Sequence, residues 1–136
     1  MIVVTQYPPN YEEITNNFPT IIGKKGVIFT YGEAIFNPDG LPIDHDLQIH
    51  EATHSIQQDT IGPKAWWDKY FTDPQFRLSQ ELEAYQNQYR SFCDRIKDRN
   101  KRALYLFRLA TDLGSAQYGN IISPTEAQKR IKNYKS

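Results

Sequence analysis

The chain has 136 residues, 16 Lys and Arg against 16 Asp and Glu, and one cysteine, a length that predicts a single domain over residues 1–136 with a modest core. A formal net charge of zero argues against a general nucleic-acid or membrane role. Cys93 alone can form neither an intramolecular disulfide nor a cysteine-cluster metal site, and no apolar run approaches the roughly 18 residues of a membrane span.

The neutrality conceals a division. Residues 1–89 are net −7 and residues 90–136 net +7, so either the two parts neutralise each other or the last third carries a basic docking patch. The N-terminal Met1 to Tyr7 lacks the basic and long apolar regions of a signal peptide, and the expected location is the cytoplasm. Nine Tyr, seven Phe and two Trp predict an aromatic-rich core.

In chain order, β-branched Ile2–Thr5 reads as a strand that Pro8-Pro9 ends. Asn10 is placed to cap a short helix carrying Ile14 and Phe18, with Glu13 completing a capping box. Gly26–Tyr31 and Ala34–Asn37 read as two strands joined by a tight hairpin, and Asn37-Pro38-Asp39-Gly40 is a turn. The expectation is a small antiparallel sheet, whose edge is either purely structural or able to hold an extended peptide.

Asp44 then caps a helix that fades at Asp59–Pro63. Within it, His50-Glu51-Ala52-Thr53-His54 sets two imidazoles four residues apart, on one face and about 6 Å apart along the axis. That spacing lets both grip one metal ion, while Glu51, about 100° around from His50, can reach a water on it. Leu47, His50, Glu51 and His54 form one stripe; Ile49, Ala52 and Ile56 form a second, apolar stripe expected to face inward. His45 falls on another face and reads as a surface residue.

Lys64–Phe71 is a short aromatic helix, read as core packing or a cleft wall. Asp73-Pro74 starts a long helix with Leu78, Leu82, Tyr85, Tyr89, Phe92 and Ile96 in one stripe. A break near Asp98–Asn100 precedes a helix that Gly114 ends, and Ser123-Pro124-Thr125-Glu126 opens a last one. The fold class expected is α+β: the small sheet against the His-Glu helix, then a mostly helical C-terminal part.

A catalytic zinc takes three protein ligands and leaves one position for water. With cysteine excluded, the third donor is a carboxylate or His45, and Glu81 and Glu83 lie 27 and 29 residues beyond His54 on the long helix. They point about 200° apart, so only one can face the metal.

His50-Glu51-Ala52-Thr53-His54 followed by Glu81-Leu82-Glu83-Ala84-Tyr85 resembles the gluzincin branch of zinc metalloproteases, especially the compact single-domain minigluzincins and related small phage-encoded proteins. Gln57 and the Tyr118–Ser123 stretch add to the resemblance, which covers residues 26–131. It implies a zincin-like fold, a Zn2+ cofactor, and Glu81 as third ligand, which agrees with the spacing of Glu81 between Leu78 and Tyr85. It further implies Glu51 as general base and hydrolysis of a protein or peptide substrate, in a host cytoplasm if the source is a phage. Tyr85 stands where the family often has an acid bracing a ligand histidine. Tyr118 and Tyr70 are the candidates for contacting substrate across the cleft. Two other readings stand beside this one: a catalytically silent metal- or partner-binding protein on the same fold, and a salt-dependent nucleic-acid binder using Arg90, Arg95, Lys97, Arg99, Lys101 and Arg102.

Overall fold

A computed structural model describes residues 1–133. Over this span the chain is α+β and mostly helical, with three strands and six helices. Strand β1 (Ile2–Val4) leads through α1 (Tyr11–Asn17) and a 3-10 turn at Pro19–Ile21 to β2 (Phe29–Tyr31) and β3 (Ala34–Phe36). Five helices follow: α2 (His45–Ile61), α3 (Pro63–Thr72), α4 (Pro74–Arg95), α5 (Arg99–Leu113) and α6 (Pro124–Lys132), with a second 3-10 turn at Ala116–Tyr118. No helix among the described residues is long and apolar enough to cross a membrane.

The sheet is mixed, not antiparallel, with strand order β1-β3-β2. The hairpin is as expected: β2 runs antiparallel to β3 with Thr30 opposite Ile35, and Gly32 takes the positive φ of 63° that its two-residue turn requires. β1 instead lies parallel to β3, with Val3 opposite Ile35. A tight turn forces two strands antiparallel, whereas the long excursion through α1 brings the chain back in the same direction.

Caps set most of the helix starts. Asp44 accepts from Leu47 N–H, Asp73 from Gln75 and Phe76, Asp98 from Asn100, and Ser123 from Glu126. Asn10 does not act as a cap: its side chain makes no capping bond, and both its amide atoms are buried without a partner. Gly114 ends α5 by close approach, because a Cβ there would stand 2.9 Å from the Pro124 nitrogen at the start of α6.

Two apolar clusters flank the site. One joins α4, α5 and α6 through Leu82, Tyr89, Leu106, Leu113 and Ile131. The other, strongly aromatic, joins α1, β2 and α3 through Ile14, Phe18, Phe29, Trp66, Trp67 and Tyr70. Between them α2 lies along α4, tied by Asn87 to Thr53 (3.0 Å) and by buried Asp46 to Ser91 (2.8 Å) and Arg95.

The polarity of α2 is inverted from the expectation. Its buried residues are Asp46, His50, Glu51, Thr53, His54 and Gln58, whereas Ile56 is 73% exposed and lines a surface groove with Ile49 and Ala52. The apolar stripe faces outward because the inward side is occupied by groups that hydrogen-bond one another. Gln58, fully buried, shows how: its amide donates to Thr30 O (2.9 Å) and accepts from Gly32 N–H (2.7 Å), clamping the hairpin to α2.

Candidate metal centre

Helix geometry places His50 and His54 one turn apart on the buried side of α2, and α4 crosses them with Glu81. The two Nε2 atoms are 3.2 Å apart, and Glu81 Oε1 is 3.2 Å from each. These three donors therefore form an equilateral triangle. A tetrahedral zinc with bonds of about 2.0–2.1 Å would hold neighbouring donors about 3.3–3.4 Å apart, so the triangle fits such an ion without rearrangement. His50, Glu51 and His54 also each offer a donor within 4.8 Å of the others, and that group could hold a metal ion. The two groupings share both imidazoles and differ only in the carboxylate.

The surroundings separate the two carboxylates. Glu51 Oε2 accepts from the Thr30 hydroxyl at 2.8 Å, which steers it toward β2. Glu81 Oε2 accepts from the Tyr70 hydroxyl at 2.6 Å, which leaves Oε1 directed at the imidazoles. Glu83 does not join them; it accepts from Gln57 at 2.8 Å on the exposed side of α4. His45 is exposed at the first turn of α2.

Each imidazole is braced at its other nitrogen. His50 Nδ1 is 2.9 Å from Gln88 Oε1 and His54 Nδ1 is 2.8 Å from Gln57 Oε1. With an amide oxygen against it, each ring donates from Nδ1 and turns Nε2 toward Glu81, the atom a metal would take. Tyr85 performs no such bracing. Its ring packs edge-on against His50, centroids 4.5 Å apart, and its hydroxyl lies 2.7 Å from that of Tyr118.

All four central residues are at most 6% exposed. Burial alone would push the His54 imidazole down, but the Glu81 carboxylate against it, helped by Glu51 and Gln57, holds it up at about 9. Burial likewise works to raise Glu81, yet the two imidazoles hold its carboxyl well below the usual range. Without a metal, then, His54 and Glu81 form a buried ion pair at neutral pH, and an incoming cation must displace the Nε2 proton. Tyr70, Tyr85 and Tyr118 are pushed well up, first by burial and then by neighbouring acidic groups, so all three remain neutral phenols.

A half-open cleft lies over these residues, with room of about 70 Å3 for solvent. His50, Glu51, His54 and Glu81 line it together with Phe18, Ile21, Val27, Phe29 and Trp67 of the aromatic side and Gln117 and Tyr118 of the second 3-10 turn. Both tyrosines considered for substrate contact line it too, although the Tyr70 hydroxyl is committed to Glu81 and that of Tyr118 to Tyr85. The outer carbonyl of β2 is also taken, since Thr30 O accepts from both Gln58 and the Trp67 indole (3.1 Å). At Thr30 the edge is thus engaged with α2 and α3.

Sequence reasoning did not single out Gln88, Thr30, Gln58 or Arg77. Gln88 carried one signal, its position seven residues after Glu81 on the same helix stripe. Buried Arg77 ties two walls of the cleft together by donating to Tyr70 O (2.6 Å) and Tyr118 O (2.9 Å), with its guanidinium 5.1 Å from the Phe18 ring. Comparison with family models, with curated proteins and with solved structures gives no match for this chain.

Proposed function

We propose that the protein is a zinc-dependent metallopeptidase of the gluzincin type, built on a compact zincin-like fold and acting on a protein or peptide. The observation that carries this reading is the triangle of His50 Nε2, His54 Nε2 and Glu81 Oε1, 3.2 Å on each side, with the Glu51 carboxylate beside it. Glu81 is taken as the third ligand because Tyr70 engages its other oxygen and because it is equidistant from both imidazoles. Glu51 is then free for proton transfer.

Zinc held by these three residues supplies an acidified water and a Lewis acid for the scissile carbonyl. Glu51, held by Thr30, takes the proton of the attacking water and passes it to the leaving amine. The apolar wall of the cleft lowers the local dielectric and strengthens each of these electrostatic contacts. Tyr118, a neutral phenol at the opposite wall, is the group best placed to donate to a developing oxyanion if its bond to Tyr85 turns over.

A second reading, a metal-binding protein without turnover, is favoured by the narrowness of the cleft. Glu51→Gln separates the two. The amide oxygen keeps an acceptor for Thr30, so metal content stays at the parent level, while hydrolysis of a mixed protein substrate falls about 100- to 10,000-fold. Equal turnover by both proteins removes Glu51 from the reaction, and no turnover by a zinc-loaded parent leaves the silent reading.

A further inference from the structure

Both histidines of the triangle are braced by neutral amides, and the two braces come from different helices. Gln57 follows His54 by three residues on α2, and its NH2 group donates to Gln80 O (3.0 Å) and to Glu83 Oε1 (2.8 Å). Gln88 lies on α4 two turns beyond Glu81, and its NH2 group donates to the Tyr105 hydroxyl at 2.9 Å. Two obligate acceptors fix Gln57 at its nitrogen end, which settles that its oxygen meets the imidazole; Gln88 turns its oxygen to His50 and its NH2 to a hydroxyl. Reversing Gln57 would set its NH2 against the ring N–H and its oxygen against Gln80 O and Glu83 Oε1, losing all three bonds.

We propose that Gln57 and Gln88 are the positioning residues of this centre: each fixes one imidazole with its proton on Nδ1, so that both Nε2 atoms converge on Glu81 before any cation arrives. This rests on the metal reading above. A free imidazole rotates about its side-chain bonds; a ring already held in one orientation, with Nδ1–H engaged and Nε2 facing Glu81, loses less freedom when it ligates. The arrangement also makes α2 and α4 co-dependent, because each helix supplies at least one ligand and one brace. A carboxylate brace would add negative charge beside the ligands; two amides leave Glu81 the only anion among the three donors.

The test is made on the whole chain with Gln88→Leu and Gln57→Leu, which keep side-chain bulk and remove the acceptor. Gln88→Glu restores an acceptor and lets the Tyr105 hydroxyl turn to donate; the equivalent change at Gln57 is uninformative because it faces Glu83. Two quantities are read: the Nδ1–H resonances of 15N-labelled histidine in metal-free protein, and zinc affinity by competition with a chelator. Parent protein is expected to show slowly exchanging Nδ1 protons on His50 and His54. Gln88→Leu loses that of His50 alone and Gln57→Leu that of His54 alone. Each Leu variant weakens zinc binding about 10- to 100-fold, and Gln88→Glu regains both properties.

A merely structural role would lower stability without this residue-by-residue loss. Leu variants that keep both protons and bind zinc within twofold of parent overturn the proposal. Parent protein that shows both protons and takes up no zinc overturns the metal reading instead, and leaves the two amides assigned as histidine braces only.

Discussion

Removing one oxygen atom from Tyr70 tests the electrostatics of the site with little change in shape. In Tyr70→Phe the ring keeps its stacking on Trp66 (centroids 4.9 Å apart) and its edge contacts with Phe18 and Trp67, while Glu81 Oε2 loses its 2.6 Å donor. A hydrogen bond to a charged group contributes about 1.5–3 kcal/mol, and Glu81 is only 4% exposed. The metal-free protein should therefore lose about 1.5–3 kcal/mol of stability at pH 7, a fall in Tm on the order of 10 °C for a domain of this size. Zinc affinity should change less than stability, because Tyr70 reaches the carboxylate whether or not a cation is bound. Urea unfolding of chelator-treated parent and variant measures the difference. A change below about 0.5 kcal/mol would show that no buried carboxylate anion depends on this hydroxyl, and the account of Glu81 would fail with it.

Metal-free stability should depend on pH through the His54–Glu81 pair. The raised His54 contributes stability that is fully present below its ordinary value of 6.5 and lost as pH rises through about 9. The lowered Glu81 contributes stability present above its ordinary value of 4.5 and lost as pH falls through its folded value. Both operate fully between about pH 4.5 and 6.5, and thermal unfolding in chelator should show stability declining from pH 6.5 toward 9; a rise over that interval contradicts the pair. On the outer side of α2, Ile56→Gln should change unfolding free energy by less than about 0.5 kcal/mol, whereas Ile35→Ala, at a residue 2% exposed, should cost about 2–5 kcal/mol. Gly114→Ala should cost about 1–3 kcal/mol, since the new methyl meets the Pro124 backbone, and an unchanged denaturation midpoint would refute that close approach.

Local rules in the sequence made much of this structure legible. The helix starts at Asp44, Asp73, Asp98 and Ser123 are set by side chains three residues or fewer from the amides they bond, so no tertiary knowledge is needed. The i, i+4 histidines are equally local, whereas it is the gluzincin resemblance that selects Glu81 over Glu83, and the spacing of Glu81 between Leu78 and Tyr85 agrees with it. Three things were hidden because they depend on distant partners. Strand β1 pairs parallel after a long excursion, Asn10 lies in a buried environment instead of capping α1, and the apolar stripe of α2 faces solvent. Hydrophobic periodicity assumes that the buried side is greasy; here that side is filled by His50, His54, Gln58 and their polar partners, which satisfy one another. Thr30 carried no signal of function and Gln88 only its place on the Glu81 stripe, because their roles arise where β2 and α4 meet α2.

The central claim is that one divalent cation sits between α2 and α4, held by His50, His54 and Glu81. Elemental analysis with X-ray absorption on the zinc-loaded protein tests it directly. The account predicts one zinc per chain, two imidazole nitrogens and carboxylate oxygen at about 2.0–2.1 Å, and loss of the metal in both His54→Ala and Glu81→Gln. Zinc retained at full affinity in either variant, or a parent protein that takes up none, would contradict it.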